Sequence, residues 1–136
     1  MKAVDTSVII AAFASWHESH ALARQALDQG PSLIAHCALE TYSVLTRLPA
    51  PHRVAADVAA EYLHLRFPGE PLVLPAAELA TLVTRLAEAG IAGGAVYDAL
   101  VAATAAHHGV TVLTLDARAE RTYARVGASF KMLARA

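Results

Sequence analysis

The chain has 136 residues, 56% of them hydrophobic and only 6% aromatic, with a formal net charge of −1. That length favours one domain over residues 1–136 with a sizeable core, and the alanine-rich, aromatic-poor mix argues for packed helices and against an all-β sandwich. The charge excludes a globally basic nucleic-acid binder. The single cysteine, Cys37, excludes an internal disulfide or a thiolate metal cluster and suits a reducing cytoplasm.

Ala3-Val4 is a short apolar step into Asp5, after which Thr6 or Ser7 can cap a helix through Phe13. Lys2 and the apolar run from Val8 to Ala14 look faintly like a secretion signal. Asp5 interrupts that segment and the run is short, so the reading is rejected. Trp16 to His20 is a turn into a second helix ended by Gly30-Pro31, and Leu33-Ile34-Ala35 is a buried strand. Apolar spacing at Val44, Leu45 and Leu48 predicts a helix from His36 to Leu48, stopped by Pro49. Arg53 to Arg66 is a further, amphipathic helix with an apolar side suited to a dimer or a protein partner, or to ordinary packing. Leu72-Val73-Leu74 is a predicted strand and Ala76 to Ala89 a helix closed by Gly90. Gly93-Gly94 introduces a helix from about Val96 to His108. Val110 to Leu115 is the clearest strand, Ala117 to Val126 the last helix, and Ser129 to Leu133 a terminal strand. No uncharged apolar stretch reaches the ~18 residues of a membrane span.

Strands alternate with helices and are continuously apolar, which predicts an α/β fold: a short parallel sheet covered on both faces, three layers in all. Ligands of such sheets bind beyond the carboxyl ends of the strands. Asp5 and Asp116 each follow a predicted strand directly and should lie on one edge.

Four acids stand out. Asp5 is either a helix cap or a site residue. Thr6 and Ser7 can cap instead, which leaves Asp5 free. Asp98 has Gly94, Ala95, Val101 and Ala102 as its helical neighbours, and no lysine or arginine occurs between Arg85 and Arg118. It is an exposed first-turn acid, or it faces a remote partner or a metal. Asp116 reads equally as a cap, and Glu40 as part of a solvated stripe with Ser43 and Arg47. Two carboxylates about 4 Å apart repel by about 4 kcal/mol at an effective dielectric of about 20. If the four converge, a hard divalent cation such as Mg²⁺ or Mn²⁺ is the natural counter-charge. Such an ion suits hydrolysis of a phosphodiester by activated water, leaving a 5′-phosphate and a 3′-hydroxyl.

At these residues the sequence resembles the PIN-domain family, and within it the VapC-type toxin ribonucleases. The resemblance runs through Met-Lys-Ala-Val-Asp5-Thr6-Ser7-Val8-Ile9, Glu40 within Ala-Leu-Glu-Thr-Tyr-Ser-Val-Leu, Gly93-Gly94-Ala-Val-Tyr97-Asp98-Ala-Leu, and Thr114-Leu115-Asp116. It implies a PIN-like fold and a Mg²⁺-dependent endoribonuclease acting in the cytoplasm. It also implies a homodimer, and inhibition by a separately encoded VapB-type antitoxin whose arginine enters the acidic pocket. Asp5, Glu40, Asp98 and Asp116 would be the catalytic, metal-holding acids, Thr6 and Thr114 would line the site, and Glu120 is the one candidate for a further acid.

Arg118, Arg121 and Arg125 follow at helical spacing and suit RNA phosphates, a solvated face, or an acidic partner. Trp16 to His20 does not spell His-Glu-x-x-His, so no zinc peptidase is expected. His17 and His20 are expected in a loop near the cleft, with Trp16 stacked on a base or packed on protein. His107 and His108 end a helix without a catalytic role, and Cys37 is expected as a small buried apolar residue. Two rival functions remain: a phosphatase with Asp5 as nucleophile, which lacks the usual second aspartate because Ser7 stands there, and a non-catalytic module acting through its partner complex.

Overall fold

The computed structural model describes residues 1–134. In chain order the elements are β1 (Lys2–Val4), α1 (Thr6–Phe13), α2 (His20–Asp28), β2 (Ser32–Leu33), α3 (Ala35–Thr46), α4 (Ala56–Arg66), α5 (Ala76–Ala89), α6 (Ala95–His108), β3 (Thr111–Thr114), α7 (Ala117–Val126) and β4 (Phe130–Met132). The sheet runs β2-β1-β3-β4 with every neighbouring pair parallel.

The register explains why these strands carry no polar alternation. Ala3 pairs with Val112, and Val112 with Phe130, on one face; Val4 pairs with Leu33 and Leu113 on the other. Ala3, Val4, Val112 and Leu113 are all buried, so both faces are covered. Tyr123 of α7 meets Phe130 on the first face, their rings 6.0 Å apart. Leu22 and Ala26 of α2 share a cleft with Leu113 on the second. Burying each large aliphatic residue contributes about 1.5–3 kcal/mol. A second apolar cluster joins Leu82, Leu86 and Ile91 to Ala99 and Ala103 of α6, and so seats α5 against α6.

Two helices match their predicted ends. Gly90 and Gly127 close α5 and α7 in the left-handed conformation, at φ 69° and 86°, where a side chain would be strained.

Elsewhere the structure departs from the expectation. The predicted strand at Leu72 to Leu74 is reduced to a single bridge between Leu72 and Ile34. Pro71 and Pro75 flank it, and the carbonyl of Val73 is taken by His108 Nε2 at 2.8 Å. Ala35 already belongs to α3. That helix stops at Thr46, and α4 begins only at Ala56. Between them Val54 N–H donates to the Leu45 carbonyl and Arg53 Nε to the Leu48 carbonyl, so residues 47–55 form a loop.

Candidate active site

The parallel sheet puts Asp5 and Asp116 at the carboxyl ends of the adjacent strands β1 and β3. Asp5 N–H still donates to the Leu113 carbonyl at 3.1 Å, so the ladder holds its backbone in place. The chain then turns into α1, and Asp5 is the cap of that helix: its Oδ1 accepts from Ser7 N–H at 3.1 Å and Val8 N–H at 3.4 Å. The expectation that Thr6 or Ser7 would cap in its place is corrected. A hydroxyl on the first helical turn lies past the free N–H groups, whereas the strand-end carboxylate faces them.

Four further bonds fix this corner. Ser7 Oγ donates to Asp5 Oδ1 and accepts from Leu115 N–H at 2.9 Å, tying the β1–α1 turn to the β3–α7 turn. Tyr123 Oη donates to Asp5 Oδ2 at 2.8 Å. Thr114 Oγ1 accepts from Asp116 N–H at 3.0 Å and lies 3.5 Å from Ser7 Oγ. Asp5 is only 4% exposed. Burial raises its pKa and the bonds from Ser7, Thr114 and Tyr123 oppose the rise. With both oxygens engaged and little access, Asp5 is poorly placed as a covalent nucleophile. Each carboxylate oxygen still has lone-pair capacity for a cation.

Asp116 caps α7, accepting from Arg118 N–H at 2.9 Å, with Arg118 Nε at 3.8 Å. Glu40 stands on α3, half-exposed, its Oε2 at 3.4 Å from His36 Nε2. Asp98 lies in the first turn of α6 and is half-buried. Its pKa is pushed up to about 6, first by burial, then by the negative charges of Asp116, Glu40 and Asp5, with Arg118 opposing.

These acids meet. Asp5, Thr6, Ser7, Cys37, Glu40, Asp98, Val101, Asp116 and Tyr123 line one cavity of about 30 Å³, room for an ion or a water molecule. Among the described residues no group of three or more His, Cys, Asp or Glu is arranged to hold a metal ion as it stands. The four acids share the walls of this cavity, where their like charges oppose ionisation. Thr6 lies beside the Cys37 thiol, its Oγ1 buried. Burial, reinforced by Asp5, pushes that thiol up to about 12.

The remaining predicted residues divide. Arg118 is exposed next to the acids. Arg121 is exposed on the same helix. Arg125 turns away and donates to the Ala89 carbonyl at the end of α5. Glu120 does not line the cavity. His20 opens α2 with its ring on the Ala11 carbonyl at 2.8 Å, and His17 accepts from Ser19 N–H; neither lines the cavity of the acids. Their expected place near the cleft is corrected. Trp16 packs on His52, their rings 4.5 Å apart and tilted by 38°. Sequence reasoning missed Ser7, His36 and Tyr123 as supporting residues. Ser7 and Tyr123 act across 108 and 118 positions, which no local pattern reveals. The spacing of His36 and Glu40, one helical turn, was a readable signal.

Compared with known proteins, a family model described as the PIN domain matches residues 2–125. The chain is 51% identical to Ribonuclease VapC40 of Mycobacterium tuberculosis over 126 residues, covering 93% of this chain and 94% of that protein. It is 45% identical to Ribonuclease VapC27 of the same organism over 126 residues, covering 92% and 91% respectively.

Proposed function

The chain belongs to the PIN-domain family, and from that premise we propose that it is a VapC-type toxin endoribonuclease whose cleavage depends on a divalent metal held by Asp5, Glu40, Asp98 and Asp116. The observation that carries the reading is the common cavity of four acids from four separate elements, with Asp98 pushed up to about 6 by burial and then by the charges of the other three.

The donor set fits a hard cation. Every ionisable ligand is a carboxylate, and the neighbouring thiol stays protonated and offers no soft ligand. Asp5, Asp98 and Asp116 would hold Mg²⁺ (or Mn²⁺), with Glu40 supporting them. When bound, such an ion polarises a phosphoryl oxygen and acidifies water. The chain's own contribution is positioning. Ser7 and Tyr123 lock the Asp5 carboxylate, Thr114 fixes the turn that presents Asp116, and Thr6 lines the wall beside Cys37. Arg118 offers a guanidinium beside the acids for a substrate phosphate, and Arg121 stands on the same exposed helix.

The same reading takes residues 1–136 as a single nuclease domain, supported by one sheet whose strands run from Lys2 to Met132. It places the protein in the cytoplasm; among the described residues no helix is long and apolar enough to cross a membrane. It also assigns a VapB-type antitoxin and a homodimer. An open groove of about 650 Å³ between α3 and α4, with Leu39 exposed at 74% on its wall, supports a protein-binding surface there.

The test is incubation of purified protein with RNA. Cleavage with Mg²⁺, its loss in chelator, and its loss in Asp98→Asn are expected, with 5′-phosphate ends on the products. Ion-free cleavage, or full activity of that variant, would overturn the assignment.

A further inference from the structure

His36 and Tyr97 form an aromatic pair that the acid chemistry does not use. Their rings are parallel to within 3° with centroids 5.4 Å apart, an offset stack joining α3 to α6. Each ring is next to an acid of the cavity. Tyr97 precedes Asp98 in the first turn of α6, and His36 lies one turn before Glu40, its Nε2 3.4 Å from Oε2. That nitrogen is buried and makes no hydrogen bond among the described residues, so the imidazole is held by the stack and by the Glu40 contact. Tyr97 itself is 55% exposed.

An exposed aromatic alone is ordinary surface. Trp16 is equally exposed, but its contact with His52 is tilted by 38° and is not a parallel stack. Tyr97 differs in being stacked in parallel on a ring whose Nε2 reaches Glu40, an acid of the carboxylate cavity. Bracing keeps the ring in one orientation and so lowers the ordering cost of stacking something on it.

We propose that Tyr97, braced by His36, is the platform on which an unpaired RNA base beside the scissile phosphodiester stacks. This rests on the ribonuclease reading and adds to it a residue that holds the substrate. A base can lie on an aromatic face only when it has left its own helix, so the RNA is single-stranded or flipped out at that nucleotide. Every base has a π-face, so the platform selects for an unpaired base first and for strongly stacking bases second.

The experiment compares wild type, Tyr97→Phe and Tyr97→Leu on total cellular RNA and on one RNA presented as a single strand and as a duplex. Cut positions are mapped by sequencing product ends, and equal thermal unfolding midpoints verify the fold. Tyr97→Leu should lower kcat/KM by about 5- to 150-fold, the range for one stacked base. It should also flatten the base frequencies at one fixed position relative to the cut. Tyr97→Phe should restore both, and the duplex should be cut far more slowly than the single strand. Three results would each overturn the platform while leaving the ribonuclease intact: an unchanged rate in Tyr97→Leu, a slower rate with the same base frequencies at every position, or equal cleavage of duplex and single strand. Failure of the wild type to cut any RNA would overturn both.

Discussion

Asp5 and Asp116 grow out of strands, whereas Glu40 and Asp98 ride on helices, and the two pairs are held to different degrees. Asp5 is buried and bonded on both oxygens, and Ser7 ties its turn to that of Asp116. Glu40 touches only a half-buried histidine, and Asp98 sits among like charges with one opposing arginine. One half of the cavity is therefore part of the folding core. The other is a pair of helix-borne charges that the fold tolerates. Losing an acid from the first half should injure both structure and activity, and losing one from the second should injure activity alone.

The sharpest way to break that contrast is to neutralise one acid from each half. Asp5→Asn and Asp98→Asn are each expected to lower cleavage by about 10²–10³-fold, the scale for losing a preorganised electrostatic contact. Only Asp5→Asn should also lower the unfolding midpoint; equal midpoints in the two variants would end the distinction. Next is Tyr123→Phe, which removes the donor to Asp5 Oδ2 and nothing else. Cleavage should fall by about 10–100-fold, as for a partner that orients a ligand, and stability by about 1–3 kcal/mol in denaturant titration. Ser7→Ala strands Leu115 N–H and should lower stability by about 1–3 kcal/mol.

A subtler effect is set by pH. The folded pKa of Asp98, about 6, lies above the ordinary aspartate value of 3.8. The folded state therefore holds the extra proton between those values, and stability falls as pH rises through that window. In metal-free buffer Asp98→Asn should be more stable than wild type above about pH 6, with the gap closing toward pH 4. The size is reduced by solvent because the group is half exposed. A gap that widened in acid would contradict the repulsion argument. The smallest expected effect belongs to Arg118→Ala. Its side chain is 95% exposed, so stability should hold and cleavage should become less sensitive to salt.

The strand-borne half was the more legible in sequence. A short apolar run ending in an acid announces both the strand and the edge where the acid emerges, and this located Asp5 and Asp116. Asp98 was legible by subtraction, since its helical neighbours include no cation. What could not be read was multiple use of one residue. Asp5 caps a helix and walls the cavity at once, while local patterning treats those as alternatives. Long-range donors such as Tyr123 leave no periodic trace. Arginine spacing placed Arg125 beside Arg118, but the terminal carbonyl of α5 draws it away. The Leu72 to Leu74 segment has strand composition, yet its prolines and the claim of His108 on Val73 leave it one bridge.

Cys37 is the only sulfhydryl in the chain, and it is fully buried against the acids. The native state therefore keeps its one alkylation target hidden and protonated, and a thiol reagent can react only when that region opens. The rate of labelling becomes a stopwatch on local breathing, intrinsic to the protein and needing no engineered probe. Anything that knits the four acids together should slow it.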